Sequence, residues 1–361
     1  SRPFGGRPIC FYGGNCSGYG CPVDAKATTL SVSIPRALAT GRLDLRPNAV
    51  AREISVDVDG RARSVRYLDW KGREQEVFAR VFVLAGNAVG SARLLLSSTS
   101  GSFPEGLANS SGLVGKNLML HLGPMVGFRI DAPALGSVGM AGHVAIDDLH
   151  PSDAKRGFLR GGVIAETNGP SDQPIGYFLA SRSAPGLGRG FGADLKRFLR
   201  GFPHTVFVRA LLEDLPMESN RVELDPEQKD AHGLPVARIT HRNHPNDVAI
   251  HAFFTKRLVD LAEASGALEK WVVDLPGITT IDRDTPMRGG LHVLGTCRMG
   301  KDPSKSVVDA GCRSHDVRNL WVVDGSVFPT SGGYDPGLTI LANAYRVAAR
   351  FVEEAKKANL R

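Results

Sequence analysis

Apolar and polar residues alternate along three neighbouring stretches near the start of the chain, and this alternation is typical of half-buried strands. The stretches are residues 43–57, 62–70 and 73–86. Gly60 and Gly72 mark turns between them. The pattern therefore predicts a small antiparallel meander that leads into one continuous apolar strand, Val81–Ala85.

The predicted apolar strand is followed by a glycine turn and a helical pattern. The sequence AGNAVGSARLLLSS, residues 85–98, carries three consecutive leucines after the turn. A strand, a glycine turn and a helix in this order form half of a dinucleotide-binding unit. The same order also occurs in many unrelated proteins, so the segment acquires meaning only together with other motifs.

The middle of the chain, residues 123–288, consists of short apolar alternations punctuated by glycine and proline. The alternating segments read VGFRID, GGVIAE, TVFVRALLED, NRVELD and VARITHRNH. They predict an antiparallel sheet that forms one wall of a pocket. The glycine-rich segment 183–192 is read as a solvated linker, with a pocket lid as the alternative.

Two helices stand out by their 3.6-residue periodicity. In the first, Asn246 is the predicted N-cap and Gly266 lies past the end. Its apolar face consists of Ile250, Phe254, Leu258, Leu261 and Ala262. The second, from about Leu338 to Ala355, has a side formed by Leu341, Ala344, Tyr345, Ala348 and Val352.

Composition and charge exclude some classes of function. The net charge is +7 with a pI near 9.3, but the basic residues are scattered and no nucleic-acid-reading motif accompanies them. No apolar run has the length of a bilayer span, so we expect no transmembrane segment in this chain. No signal peptide is visible either.

Several motifs in a fixed order resemble the glucose-methanol-choline (GMC) flavin oxidoreductases. They are AGNAVGSARLLLSS, GLVGKNLMLH at 112–121, HVLGTCRMG at 292–300, LWVVDGS at 320–326 and YDPGLT at 334–339. The resemblance covers essentially the whole chain. It implies an α/β fold with a Rossmann-like FAD-binding domain, residues 1–122 and 289–361, and an inserted antiparallel substrate domain, residues 123–288. The family's phosphate-binding GxGxxG segment is expected before residue 1.

The resemblance assigns two catalytic residues. His292 occupies the position of the family's catalytic histidine, which takes the substrate hydroxyl proton; imidazole suits this role because it titrates near neutral pH. Asp335 stands where the family usually has Asn or His. A carboxylate there can only accept hydrogen bonds and favours the imidazolium form of His292. The departure is compatible with a tuned dehydrogenase, with an altered reaction or with a weakly active member, and a desolvated, protonated Asp335 could imitate Asn.

The resemblance also assigns residues to FAD. The backbone of Val50 would hold the adenine, and the turn at Ala85 and Gly86 would approach the cofactor. Asp324 and Gly325 would meet the ribityl–phosphate portion, although a turn cap is the alternative for Asp324. The start of the last helix would face the pyrimidine end of the flavin through Pro336, Leu338 and Thr339.

Three of the five cysteines crowd the N-terminus with the spacing C-x5-C-x4-C: Cys10, Cys16 and Cys21. Membrane-associated sugar dehydrogenases of the GMC family have a similar spacing and hold a three-iron (3Fe-4S) cluster. A purely structural glycine-rich loop and a disulfide are the other interpretations. Zinc is disfavoured because no fourth ligand lies nearby in the sequence.

Taken together, the resemblance implies an FAD-dependent dehydrogenase that oxidises a CH–OH group of a sugar or alcohol and passes electrons to a non-oxygen acceptor. It implies a small subunit and a cytochrome as partners, and a periplasmic location or membrane association through a partner, with a cytoplasmic location also compatible. The alternatives are a non-catalytic fragment that needs another chain for FAD, an oxygen-using alcohol oxidase and a redox-neutral lyase.

Overall fold

The computed structural model describes residues 6–13, 20–121, 123–134, 144–167, 184, 191–275, 279–281 and 291–357. Its helices are α1 (Ser33–Ala39), α2 (Asn87–Ser97), α3 (Gly192–Arg200), α4 (Pro245–Ala264) and α5 (Gly337–Lys357). Its strands are β1 (Val50–Val56), β2 (Ala62–Leu68), β3 (Glu74–Phe78), β4 (Phe82–Leu84), β5 (Met119–His121), β6 (Met125–Arg129), β7 (Ala145–Ile146), β8 (Gly162–Glu166), β9 (Thr205–Leu212), β10 (Arg221–Lys229), β11 (Pro235–Thr240), β12 (Glu269–Val272), β13 (Leu291–Leu294) and β14 (Leu320–Val322). Cys16 and most of the 183–192 segment lie outside the described residues.

The chain divides into two compact units. The first unit comprises Ser1–Arg46, Gly123–Leu212 and Val248–Ile281. The second unit comprises Pro47–Leu122, Glu213–Asp247 and Asp282–Arg361. Each unit is thus assembled from segments that are distant in the sequence.

The first unit is built on a five-stranded antiparallel sheet with the order β12-β6-β9-β8-β7. This confirms the antiparallel sheet that the alternating segments predict. Helix α4 buries the predicted apolar face in the core of this unit, where Ile250, Phe254 and Leu258 are fully inaccessible to solvent. The helix begins at Pro245, one residue before the predicted cap, because proline suits the first helical turn.

The second unit contains the predicted meander, an antiparallel sheet with the order β1-β2-β3. Strand β4 covers Phe82–Leu84 and pairs in parallel with β14, so the carboxyl ends of both strands lie at the same edge. Strands β5 and β13 form an antiparallel pair. Segments NRVELD and VARITHRNH form a separate hairpin, β10–β11, rather than strands of the large sheet.

The last helix of the second unit, α5, buries a different face from the one that the apolar periodicity outlines. Val347 lies in the core and Phe351 packs against it. Leu341, Tyr345 and Val352 share a neighbouring side and are 41, 67 and 48% exposed. The periodicity therefore predicts the helix correctly, but the apolar side it outlines is open to solvent in the described structure.

Candidate active site

His292 lies in an irregular part of strand β13. The pairing with β5 joins Leu291 to His121 and Leu294 to Met119, so β13 has one residue more than its partner between these pairs. His292 has a φ of +60°, a left-handed conformation that is uncommon outside glycine. A bulge with a strained backbone turns a side chain away from the regular alternation of a strand, and such features concentrate at functional sites.

The structure brings together the two predicted catalytic residues. Nε2 of His292 lies 3.0 Å from Oδ1 of Asp335, within hydrogen-bonding distance. The side chains are 24% and 59% exposed, so the pair is reachable from solvent. Because Asp335 is more than half exposed, burial does not supply the desolvation that a protonated Asp335 requires. An exposed Asp335 is instead a carboxylate, which accepts a hydrogen bond from Nε2 whenever that atom carries a proton.

A second histidine, His121, lies behind His292 and was not assigned a role from the sequence. Nδ1 of His121 is 3.0 Å from Nδ1 of His292, and the rings meet edge to face at 78°. Nε2 of His121 is 3.1 Å from the carbonyl oxygen of Ser331. Burial above all, and then the neighbouring His292, lower the pKa of His121 to about 4. His121 is therefore neutral at physiological pH.

Buried acidic side chains hold the loop that contacts His121. The backbone N–H of Ser331 donates to Oε1 of Glu213 at 3.2 Å. The N–H of Asp214 donates to the Ser331 hydroxyl at 2.8 Å. All three residues are at most 7% exposed. Because Leu120 N–H also donates to Oδ2 of Asp214 at 2.6 Å, the loop and strand β5 are tied to one another.

Asp214 is hydrogen-bonded to a second buried carboxyl group, that of Asp247. Burial above all, and then the negative charge of Asp214, raise the pKa of Asp247 to about 8. Two carboxylates in hydrogen-bonding contact repel each other when both are charged, so one proton on the pair stabilises it. Asp247 also accepts the N–H of His244 at 2.9 Å, which places the pair at the start of α4. A proton on Asp247 is thus part of the native structure near neutral pH.

Gly295 and Thr296 fix the turn that follows His292. Gly295 has a φ of +93°, and a Cβ there would lie 2.1 Å from the carbonyl oxygen of Asn117. The buried Thr296 hydroxyl donates to the carbonyl oxygen of Ala88 in the first turn of α2 at 2.6 Å. The turn therefore ties the strand of His292 to the start of the helix after β4.

Asp324 connects the two parallel strands at their carboxyl edge. Its Oδ2 accepts the Ser91 hydroxyl at 2.5 Å, and its Oδ1 accepts the N–H of Ser326 at 2.9 Å. The Ser91 hydroxyl in turn accepts the N–H of Gly86 at 3.1 Å. Asp324 is only 7% exposed, so it caps the turn that starts at Gly325 and braces the Gly86 turn from beneath. The structure thus shows the turn cap, and contact of Asp324 with FAD stays a prediction.

The residues expected around FAD occupy different environments. Ala85 and Gly86 are exposed at the N-terminal end of α2, and Leu338 and Thr339 are exposed in the first turn of α5. Exposed backbone at helix N-termini suits the phosphates and the electron-rich parts of a cofactor, so these residues fit FAD. Of the others, Pro336 and Gly325 are buried and Val50 begins strand β1, and their contact with FAD stays a prediction.

The N-terminal cysteines are described only in part. Cys21 is a free thiol, and Sγ of Cys10 accepts the N–H of Tyr12 at 3.4 Å, whereas Cys16 lies outside the described residues. Among the residues that the structure covers, no cluster of three or more His, Cys, Asp or Glu side chains is arranged to hold a metal ion. Backbone N–H groups, that of Val23 foremost, lower the pKa of the Cys21 thiol. Cys297 is fully buried in the core of the second unit.

A cavity of about 1550 Å³ also lies in the second unit, between the meander and α5. Five arginines are among the residues that line it: Arg61, Arg63, Arg80, Arg313 and Arg318. Neither His292 nor Asp335 is among its lining residues. The chemistry of the histidine pair therefore belongs to a different part of the unit.

Sequence comparisons match the motifs. The family described as GMC oxidoreductase matches residues 8–123 with its N-terminal part and residues 216–344 with its C-terminal part. Part of the family's N-terminal domain therefore lies within this chain. Within the described residues, no helix is long and apolar enough to cross a membrane.

Two curated relatives and one solved structure illustrate the similarity. A 2-methyl-1,2-propanediol dehydrogenase from Mycolicibacterium austroafricanum is 34% identical, over 96% of this chain and 60% of that protein. The fructose dehydrogenase large subunit from Gluconobacter japonicus is 29% identical, over 99% of this chain and 62% of that protein. A formate oxidase structure from Aspergillus oryzae has the same fold, with a TM-score of 0.58 at 17% identity over 86% of this chain and 60% of that one. The chain thus spans about 60% of the length of these relatives.

Proposed function

Because the chain belongs to the GMC oxidoreductase family, we propose that it forms the catalytic part of an FAD-dependent dehydrogenase that oxidises a CH–OH group of a sugar or alcohol. One observation carries the proposal. The strained bulge of β13 holds His292 with its Nε2 3.0 Å from Asp335, and the pair is open to solvent. A partly exposed histidine beside a carboxylate suits the removal of a proton from a hydroxyl group.

Several exposed backbone positions are suited to hold the cofactor. We assign Ala85, Gly86, Leu338 and Thr339 to direct contact with FAD, while Asp324 braces the Gly86 turn through Ser91. Bound FAD supplies the acceptor for the hydride that leaves the carbinol carbon. The contribution of this chain is to orient the substrate hydroxyl and to receive its proton.

His292 receives that proton at Nε2. The O–H bond of the substrate breaks, an N–H bond forms on the imidazole, and the positive charge that develops lies beside the carboxylate of Asp335. Asp335 therefore stabilises the charged form of His292 where Asn or His would hydrogen-bond without charge. We favour a tuned dehydrogenase over an altered reaction because the rest of the motif is intact. Gly295, Thr296 and Asp324 hold the turns around the histidine and the Gly86 segment.

The relatives indicate which substrates and which partner subunit to test first. A propanediol dehydrogenase and a fructose dehydrogenase large subunit both match nearly the whole chain, so vicinal diols and ketoses are the first compounds to test. The fructose dehydrogenase relative is a large subunit, which supports a small subunit as a partner. We propose a cytochrome as the non-oxygen acceptor. Such an assembly would be periplasmic or attached to a membrane through its partner.

A three-iron cluster on Cys10, Cys16 and Cys21 belongs to the same proposal and is supported by their spacing. Sγ of Cys21 accepts the N–H of Ala25 at 3.2 Å, and N–H groups of this kind favour a thiolate ligand. Iron and acid-labile sulfide in anaerobically purified protein would support the cluster. Their absence from protein that still holds FAD, with Cys16→Ser behaving like wild type, would reduce the segment to a structural loop.

The test of the function is oxidation without oxygen. The purified protein is mixed anaerobically with 2-methyl-1,2-propanediol, fructose and a panel of aldoses, and carbonyl product is measured together with bleaching of the flavin absorption. One carbonyl group formed per FAD reduced is expected. Product without flavin bleaching would indicate a lyase, and peroxide formed at the rate of turnover in air would indicate an oxidase. Protein that retains no FAD would mean that another segment or chain must complete the site.

A further inference from the structure

The geometry behind His292 points to a role for His121. We infer that His121 is a positioning residue that keeps a proton on Nδ1 of His292, so that Nε2 is the atom left to receive the substrate proton. The inference concerns the tautomer of His292, and its catalytic meaning rests on the proposed dehydrogenase function.

The first step is the proton on His121 itself. Its Nε2 lies 3.1 Å from the carbonyl oxygen of Ser331, and a carbonyl oxygen can only accept a hydrogen bond. Nε2 of His121 must therefore carry a proton. The loop that carries this carbonyl group is held in place by two hydrogen bonds. The N–H of Ser331 donates to Glu213, and the N–H of Asp214 donates to the Ser331 hydroxyl.

The second step is the charge on His121. The side chain is 4% exposed, and its burial lowers its pKa to about 4, although the charges of Asp214 and Asp335 act in the opposite direction. A neutral ring has only one N–H, and it is used at Nε2. Nδ1 of His121 is consequently an unprotonated nitrogen that can only accept.

The third step transfers this constraint to His292. The two Nδ1 atoms are 3.0 Å apart, and a hydrogen bond at this distance needs one proton. Since His121 accepts, Nδ1 of His292 donates. In the neutral form of His292 the lone pair then lies on Nε2. The carboxylate of exposed Asp335, 3.0 Å away, accepts a hydrogen bond from this atom only after Nε2 has taken up a proton.

This arrangement serves a general base in two ways. Free histidine populates both neutral tautomers, and only one of them presents a lone pair at Nε2. His121 removes that choice by offering a hydrogen-bond acceptor in place of the backbone carbonyl or carboxylate that commonly orients a catalytic histidine. The edge-to-face contact of the rings also fixes the plane of the His292 ring.

The test reads the tautomers directly in the whole protein. Protein labelled with ¹⁵N at histidine is studied by two-bond ¹H–¹⁵N correlation spectra at pH 8, with signals of His121 and His292 identified by their loss in His121→Asn and His292→Gln. The inference predicts an Nε2–H tautomer for His121 and an Nδ1–H tautomer for His292. An Nε2–H tautomer of His292 in the wild type would overturn it.

Three variants separate positioning from structural support. His121→Asn can place its amide oxygen near the former Nδ1 and should keep His292 in the Nδ1–H form. His121→Leu offers no acceptor and should let the Nε2–H tautomer of His292 appear. His251→Asn is the control, because His251 is also buried and its Nε2 lies 2.7 Å from a backbone carbonyl, that of Thr279. An unchanged His292 tautomer in His121→Leu would overturn the inference.

Turnover provides an independent readout. His121→Leu should lower kcat by about tenfold or more with little change in KM, because a histidine in the wrong tautomer is a poor base. His121→Asn should recover most of that loss. If the tautomers behave as predicted but no alcohol is oxidised, the proposed function fails and the inference stands. If alcohol is oxidised while His121→Leu keeps full kcat, only the inference fails.

Discussion

Nε2 of His292 lies 3.0 Å from Oδ1 of Asp335, and the two residues come from elements of different kinds. His292 sits in a strand bulge with φ of +60°, whereas Asp335 lies in the exposed loop before α5. The contact therefore joins a ring held by the fold to a carboxylate open to solvent. We expect the fold to set the position of His292, and Asp335 to stabilise the positive charge that develops on it.

Asp335→Asn tests this division of roles. The carboxylate lies beside the positive charge that develops on His292 during proton removal, so its replacement by a neutral amide should lower kcat by about tenfold or more. Asp335→Glu retains the charge and should keep most of the activity. Wild-type kcat in Asp335→Asn would contradict a role for the negative charge.

Asp247→Asn tests the buried acid pair through stability. Asp247 has its pKa raised to about 8, so between about pH 4 and pH 8 the native state holds a proton that the unfolded state has lost. Stability from this group therefore falls as pH rises through that window. An amide cannot lose a proton, so the free energy of unfolding of the variant, relative to that of the wild type, should rise with pH. At pH 8 the difference should be on the order of a few kcal/mol.

Urea unfolding at several pH values measures this difference in the free energy of unfolding. Asp59→Asn, at an exposed turn, is the matched control and should show a difference that is independent of pH. A constant offset between Asp247→Asn and the wild type from pH 5 to pH 8 would contradict a protonated Asp247.

Gly295→Ala tests the turn that carries His292. The new Cβ would lie 2.1 Å from the carbonyl oxygen of Asn117, and φ is +93°. Gly72→Ala is a matched control, because Gly72 has a φ of +73° and open space around it. We expect a loss of about 1 kcal/mol in the control and about 3 kcal/mol or more in Gly295→Ala. Equal losses in thermal or urea unfolding would show that the close approach is relieved by a small movement.

Asp324→Ala tests the bracing of the cofactor turn. Truncation leaves the Ser91 hydroxyl and the Ser326 N–H without their shared acceptor, at a cost of about 2 kcal/mol or more. The Gly86 turn loses its support, so the variant should purify with less FAD than the wild type, as measured by the ratio of flavin to protein absorption. Asp316→Ala, which removes a carboxylate that holds exposed Ser110, is the control. Equal FAD content in both variants would remove Asp324 from the cofactor site.

Much of the local structure follows from the sequence because it depends on near neighbours. The meander, the strand–turn–helix at Gly86 and the buried face of α4 are each encoded within about thirty residues or fewer, where periodicity and glycine turns are informative. His292 and Asp335 were identified by motif, and the structure places them in contact. Their relation to FAD remains a prediction.

The sequence does not reveal His121, because its partner is 171 residues away. The single available signal was its place at the end of the GLVGKNLMLH motif. The hairpin β10–β11 illustrates a second limit, since alternation predicts strands but does not show which sheet they join. The apolar side of α5 illustrates a third, because periodicity defines a face of a helix but not what covers it.

The most direct test of the central claim is the rate at which substrate bleaches the flavin absorption in wild type and in His292→Ala, measured anaerobically after rapid mixing. His232→Ala, at an exposed position of the β10–β11 hairpin, is the control. We predict that His292→Ala retains FAD but is bleached at least about a hundredfold more slowly, whereas the control behaves like the wild type. Bleaching of His292→Ala at the wild-type rate would contradict the assignment of His292 as the base.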